Sequence, residues 1–151
     1  MLDKALVTDG NYRHTLALIR AISEDYEAHV GSEKQMACGF YSKFAKGRML
    51  YNINSPKSFA ASINKYIRSK KIDVLLPVGD TCFFYTSLLK DKIEALAPVA
   101  DIESMRIARD KVEMTERARK VGFNVPEIMD TSSRFPVVLR PVSGRGSLRF
   151  V

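Results

Sequence analysis

The chain has 151 residues, of which 46% are hydrophobic and 27% charged, enough apolar material for a buried core and incompatible with a disordered chain. That length sets one domain, or one domain with part of a second. The net charge of +7 leaves nucleic acid and acidic metabolites open as ligands, but no apolar run reaches membrane-spanning length and the N-terminus has no signal-peptide pattern, so a cytoplasmic protein with no membrane partner is expected.

In chain order, residues 4–8 read as a short buried strand, followed by a turn at Asp9, Gly10 and Asn11. Leu16, Ile19 and Ile22 mark one face of a helix that ends near Glu24. Strands are expected at residues 26–30 and 48–53. Ser55 and Pro56 then open a helix, with proline early, where its missing N–H costs nothing. Phe59, Ile63, Tyr66 and Ile67 form its apolar stripe, and Arg68, Lys70 and Lys71 suit the negative end of its dipole. Residues 73–77 carry the continuous apolar run Val74-Leu75-Leu76 expected of a central parallel strand. Val78, Gly79 and Asp80 form the loop after it, residues 81–89 a helix, and residues 96–99 a last strand.

Alternating strands and helices over residues 1–101 predict an α/β domain, a Rossmann-like parallel sheet with helices on both faces. Such sheets bind ligands beyond the carboxyl ends of their strands. That rule selects Asp9, Gly10 and Arg13 after the first strand, and Gly79 and Asp80 after the fourth, as candidate substrate-binding residues. A second unit, residues 102–151, holds a helix from Asp110 to Val121 stopped by Gly122, an extended segment from Val125, and a polar loop at 129–134. A strand carrying Val137, Val138 and Arg140 follows, then a loop of Ser143, Gly144, Arg145, Gly146 and Ser147, and a further strand from Leu148. Glycines let a backbone approach an anion, and successive N–H groups in such a turn form an anion-binding nest. Basic residues gather around this loop without interleaved exposed aromatics, so polyphosphate is favoured over nucleic acid.

Several chemistries find no support. The first strand–helix turn lacks the glycine fingerprint of dinucleotide binding, Glu33 after the second strand is only an isolated candidate for a ribose-binding acid, and no Walker A sequence occurs. His14 and His29 have no acid or cysteine at catalytic spacing, so no catalytic residue is assigned. Cys38 and Cys82 have no metal-ligand pattern and are expected to be free, buried thiols in a reducing compartment.

Taken in order, the segment from Ile107 to Lys111, the helix ending at Gly122, the stretch Asn124–Glu127, the run Pro136-Val137-Val138-Leu139-Arg140-Pro141 and the glycine loop resemble the opening of the ATP-grasp fold. Residues 6–10, 41–44 and 73–80 are similar to segments of carbamoyl-phosphate-synthase-like members, so the resemblance spans the chain. It implies a pre-ATP-grasp domain at 1–101 and the beginning of an incomplete, truncated ATP-grasp subdomain at 102–151. It further implies ATP and Mg²⁺ as cofactors and a small carboxylate as substrate, activated through an acyl phosphate that an amine attacks. Lys111 and Arg140 would contact ATP, and Ser143, Gly144, Gly146 and Ser147 would form a flap over the triphosphate. Arg140 stands where lysine is commoner, and Leu148–Val151 lacks a further glycine seen in many members. The family's metal ligands lie downstream of the flap, so the chain is expected to be inactive by itself, completed by a homodimer or a missing C-terminal half. A second reading stays open: a stand-alone module that binds an anionic metabolite at the strand ends without catalysis.

Overall fold

In the computed structural model, residues 3–129 and 140–143 are described. The first unit, Met1–Asp101, is built on four parallel strands: β1 (Asp3–Val7), β2 (Tyr26–Ser32), β3 (Gly47–Leu50) and β4 (Val74–Leu76), in the spatial order β3-β2-β1-β4. Helix α1 (Arg13–Ala21) joins β1 to β2, α2 (Pro56–Lys70) carries the chain from β3 back across to β4, and α3 (Asp80–Leu88) follows β4.

Alternation along the strands separates two apolar layers. Leu6 and Leu75 face Phe59, Ile63 and Ile67 of α2 and Cys82 of α3. Val7, Ala28 and Val30 face Ile19 of α1, with Ala37 and Phe40. Helices therefore cover both faces, as the sequence predicts. Register is fixed because a one-residue slip would exchange the two layers; Leu6 lies opposite both His29 and Leu75, and Val7 opposite Val30 and Leu76.

Helix α2 begins as expected: Ser55 Oγ accepts the Ser58 N–H at 3.1 Å and Pro56 opens the first turn. It ends at Lys71, whose φ of 54° is left-handed. Two element boundaries and the burial of one cysteine differ from the sequence reading. The third strand stops at Leu50, because Asn52 caps its own loop by accepting the Asn54 N–H at 2.8 Å and Ser55 starts a helix. The strand expected at 96–99 is a single parallel bridge between Val74 and Leu96; Pro98 has no N–H for a ladder, and the Val99 N–H turns back to the Ala97 carbonyl. Cys38 is exposed on a 3₁₀ turn, Cys38–Tyr41, whereas Cys82 is buried, which corrects the expectation of two buried thiols.

The second unit, Ile102–Val151, holds α4 (Ile102–Arg109), not foreseen from the sequence, and α5 (Lys111–Lys120). Asp110 caps α5 by accepting the N–H groups of Val112 and Glu113, both at 2.9 Å. The strand expected at Val137 and Val138 and the strand from Leu148 lie outside the described residues, Arg140 is described and is not in a strand, and none forms at 125–129.

Candidate functional site

From β1 the chain turns toward β2 on one side, while β4 lies on the other. The carboxyl ends of β1 and β4 thus flank the topological switch point of the sheet, where open α/β sheets hold their ligands. Asp9 occupies that point. It is 6% exposed, and its φ of 59° is left-handed, a region a non-glycine residue enters only when its surroundings hold it there.

Those surroundings come from three loops. The Asp9 N–H donates to Tyr51 Oη at 3.1 Å, just past β3. The Asp9 carboxylate accepts the Gly79 N–H at 2.6 Å, the Thr8 hydroxyl at 2.5 Å and the Cys82 thiol at 3.5 Å. Thr15 of α1 donates to the Asp9 carbonyl at 2.8 Å, and the Cys82 thiol also reaches Tyr51 Oη at 3.3 Å. Burial pushes both the Cys82 thiol and the Tyr51 phenol well above their usual ranges, and the Asp9 charge adds to the shift. Both groups stay protonated, the thiol as a donor to the Asp9 carboxylate and the phenol as the acceptor of the Asp9 N–H. Gly79 is required for space: a Cβ there would collide with the Asp9 carboxylate. Gly10 is close-packed too, since a Cβ would come 2.6 Å from Val30 Cγ1.

The candidates near the strand ends thus fall into two kinds. Asp9, Gly10 and Gly79 are buried and brace the loops, whereas Arg13 at the start of α1 is exposed and Asp80 is half-buried at the start of α3. Tyr51, Cys82 and Thr8 belong to the same network and were not singled out from the sequence. For Tyr51 the available signal was its place at the end of an apolar strand, where a phenol offers a polar tip on a buried ring.

In the second unit, Lys111 meets the segment that follows Arg140. Its backbone N–H donates to the Val142 carbonyl at 2.9 Å and its Nζ to the Pro141 carbonyl at 2.8 Å. The start of α5 and the Arg140 segment are therefore neighbours, although far apart in sequence. Arg140 and Ser143 are exposed; Gly144, Gly146 and Ser147 lie outside the described residues. Two cations on adjoining segments, one of them exposed, fit the chemistry of a polyphosphate. No group of three or more His, Cys, Asp or Glu side chains among the described residues could hold a metal ion, and no described helix is long and apolar enough to cross a membrane.

No protein-family model matches the sequence, and no curated protein does. Solved structures do match. L-amino acid ligase from Bacillus licheniformis superposes with a TM-score of 0.68 at 10% identity, over 98% of this chain and 39% of that one. The biotin carboxylase domain of Hydrogenobacter thermophilus 2-oxoglutarate carboxylase, in complex with MgADP and bicarbonate, gives 0.58 at 14% identity, over 81% and 28%. N5-carboxyaminoimidazole synthetase from Staphylococcus aureus, complexed with ADP, gives 0.52 at 12% identity, over 80% and 30%. These structures are ATP-grasp ligases, and the chain has the fold of their N-terminal region. It spans less than two fifths of their length.

Proposed function

We propose that this chain is the N-terminal part of a cytoplasmic, carbamoyl-phosphate-synthase-like ATP-dependent carboxylate–amine ligase. Residues 1–101 supply the substrate-side domain and residues 102–151 begin the ATP-binding domain. In this reading a substrate carboxylate oxygen attacks the γ-phosphorus of ATP and ADP leaves; an amine nitrogen then attacks the acyl phosphate carbon and phosphate leaves. Lys111 and Arg140 hold phosphate oxygens, with Ser143, Gly144, Gly146 and Ser147 covering them. Arginine at 140 supplies a planar fork of donors that lysine lacks. Arg13 and Asp80 contact the carboxylate substrate, while Asp9, Gly10 and Gly79 fix the loops that carry them. Mg²⁺ would neutralise charge on the transferring phosphoryl group, and no described residue is assigned to it.

The observation that carries this reading is the pairing of Lys111 with the Pro141–Val142 segment, which brings the start of α5 against the residues that follow Arg140. Calorimetry with Mg·ATP tests it. Weak binding is expected, and Arg140→Ala should weaken it about ten- to a hundredfold, the equivalent of one charge-assisted hydrogen bond. Unchanged affinity removes Arg140 from the site. Phosphate release by this chain alone that Arg140→Ala abolishes would overturn its reading as part of a site.

A further inference from the structure

Between the carboxyl ends of β2 and β3 lies a cavity of about 510 Å³ whose lining includes Glu33, Tyr51, Asn52, Ile53, Asn54 and Ser62. It opens at the same end of the sheet as the Asp9 network, and Tyr51 belongs to both: its phenol holds the Asp9 N–H while its residue lines the cavity. No lysine or arginine contributes to the lining. In a chain with a net charge of +7, a strand-end cavity whose one charged group is a carboxylate is selective in a definite direction. That carboxylate suits a cation better than a phosphate or a second carboxylate.

Its polar groups narrow the class. The Glu33 carboxylate offers acceptor oxygens only. Asn52 Oδ1 accepts the Asn54 N–H at 2.8 Å, and the Asn52 N–H is taken by Ser62 Oγ at 3.3 Å, so this part of the wall is held in place. Among the described residues the Glu33 side chain has no ion-pair or hydrogen-bond partner. Tyr51, 5% exposed, and Ile53 provide an apolar floor. A vicinal diol would satisfy the carboxylate's lone pairs but leave its charge uncompensated; an ammonium satisfies both, with its carbon chain on the floor.

We propose that this cavity binds the protonated primary amine of a substrate, with Glu33 as its counter-ion. The inference rests on the reading of the strand ends as the substrate side and adds to it the class of group that enters between β2 and β3. The amine belongs either to an amino-acid substrate, whose own carboxylate is the group activated, or to the separate amine nucleophile.

The test is a titration of the ¹⁵N-labelled chain, followed by amide NMR, with glycinamide, glycine, N-acetylglycinamide, acetate and ethylene glycol. Glycinamide should move the amides of Glu33, Asn52 and Asn54, while N-acetylglycinamide, acetate and ethylene glycol leave them in place. E33Q should weaken the response about two- to fivefold, the scale of a solvent-exposed ion pair, with the rest of the spectrum unchanged, since Glu33 is exposed and its loss leaves no buried group unpaired. Glycine binding more tightly than glycinamide supports the proposal with an amino-acid substrate; the reverse order supports it with a separate amine. The proposal is overturned if glycinamide moves none of these amides, if N-acetylglycinamide or ethylene glycol moves them equally, or if E33Q responds like the parent. The titration contains no nucleotide, so its failure is separate from a failure of the Arg140 experiment.

Discussion

The two units are made of similar helices and differ in what those helices pack against. In the first, Leu6, Val7, Ile19, Val30, Phe59, Ile63 and Leu75 are all fully buried, and aromatic contacts link Phe59 to Tyr51 and Tyr85. In the second, no residue of α4 or α5 is buried. Val112, Met114, Val121, Phe123, Ile128 and Met129 all stand exposed, Phe123 at 69%. Yet α5 has the better local credentials: a double cap from Asp110, an i,i+4 ion pair between Glu113 and Arg117 at 2.7 Å, and basic residues in its last turn. Capping and ion pairs define where a helix starts and stops. Burial of an apolar face decides whether it persists.

The largest expected consequence is in hydrogen exchange. Amides of β1, β2 and β4 should open only with the whole first unit, which at ordinary domain stabilities means protection of about 10⁴-fold or more. Those of α4 and α5 should show less than about 10²-fold, because isolated helices of this length are marginal in water. Equal protection in α5 and β1 would break the comparison and show that the apolar side chains of the second unit are covered in solution.

Paired glycine substitutions sharpen it at the scale of single residues. Gly79 has an ordinary backbone conformation but no room, since a Cβ would meet the Asp9 carboxylate. Gly79→Ala should therefore cost roughly 2–4 kcal/mol in denaturant unfolding of the first unit, from overpacking and a strained hydrogen bond. Gly122 is the opposite case: its φ is +88° with nothing within 4 Å. There the cost is backbone strain, about 1–2 kcal/mol, and it should appear as lost helical circular dichroism, with the main unfolding transition unmoved. A Gly79→Ala protein as stable as the parent would mean that the Asp9 loop yields more easily than its hydrogen-bond partners suggest.

How much of this was legible in sequence follows the same division. The strands β1, β2 and β4, the α2 start at Ser55 and Pro56, and the α5 cap at Asp110 rest on periodicity and capping within a few residues, and these signals survive in a single sequence. The loops at Asp9 and Gly79 were found by a topological rule. What escaped was who touches whom. Nothing local says that Tyr51 and Cys82 converge on Asp9, because that depends on β3 and α3 being brought to one point by the sheet. Nor does it distinguish Cys38 from Cys82, whose exposure is set by tertiary packing. Helix α4 escaped because it is only 8 residues long, too short for Ile102, Met105 and Ile107 to repeat a pattern; Asp101, a residue type that starts helices, was the usable cue.

The smallest expected effect concerns a charge that ties two strands of the first unit together. Glu27 on β2 accepts from His29 Nε2 at 3.0 Å and lies 3.6 Å from Lys4 Nζ on β1. The His29 bond holds its carboxyl below the usual range against the opposing cost of desolvation, and Lys4 adds to the lowering. A carboxyl lowered in the folded state stabilises it above the unfolded pKa of about 4.3. That contribution is lost as pH falls through the folded value, because both states are then protonated. Glu27→Gln should accordingly cost ~0.5 kcal/mol or less at pH 7, the scale of an exposed pair, and the difference from the parent should shrink to nothing in melts below about pH 3. His29 Nε2 carries a proton, since a carboxylate can only accept, and its Nδ1 lies 2.8 Å from Tyr66 Oη on α2. A difference between Glu27→Gln and the parent that persists at pH 3 would therefore assign Glu27 a role in orienting this imidazole that does not depend on its charge.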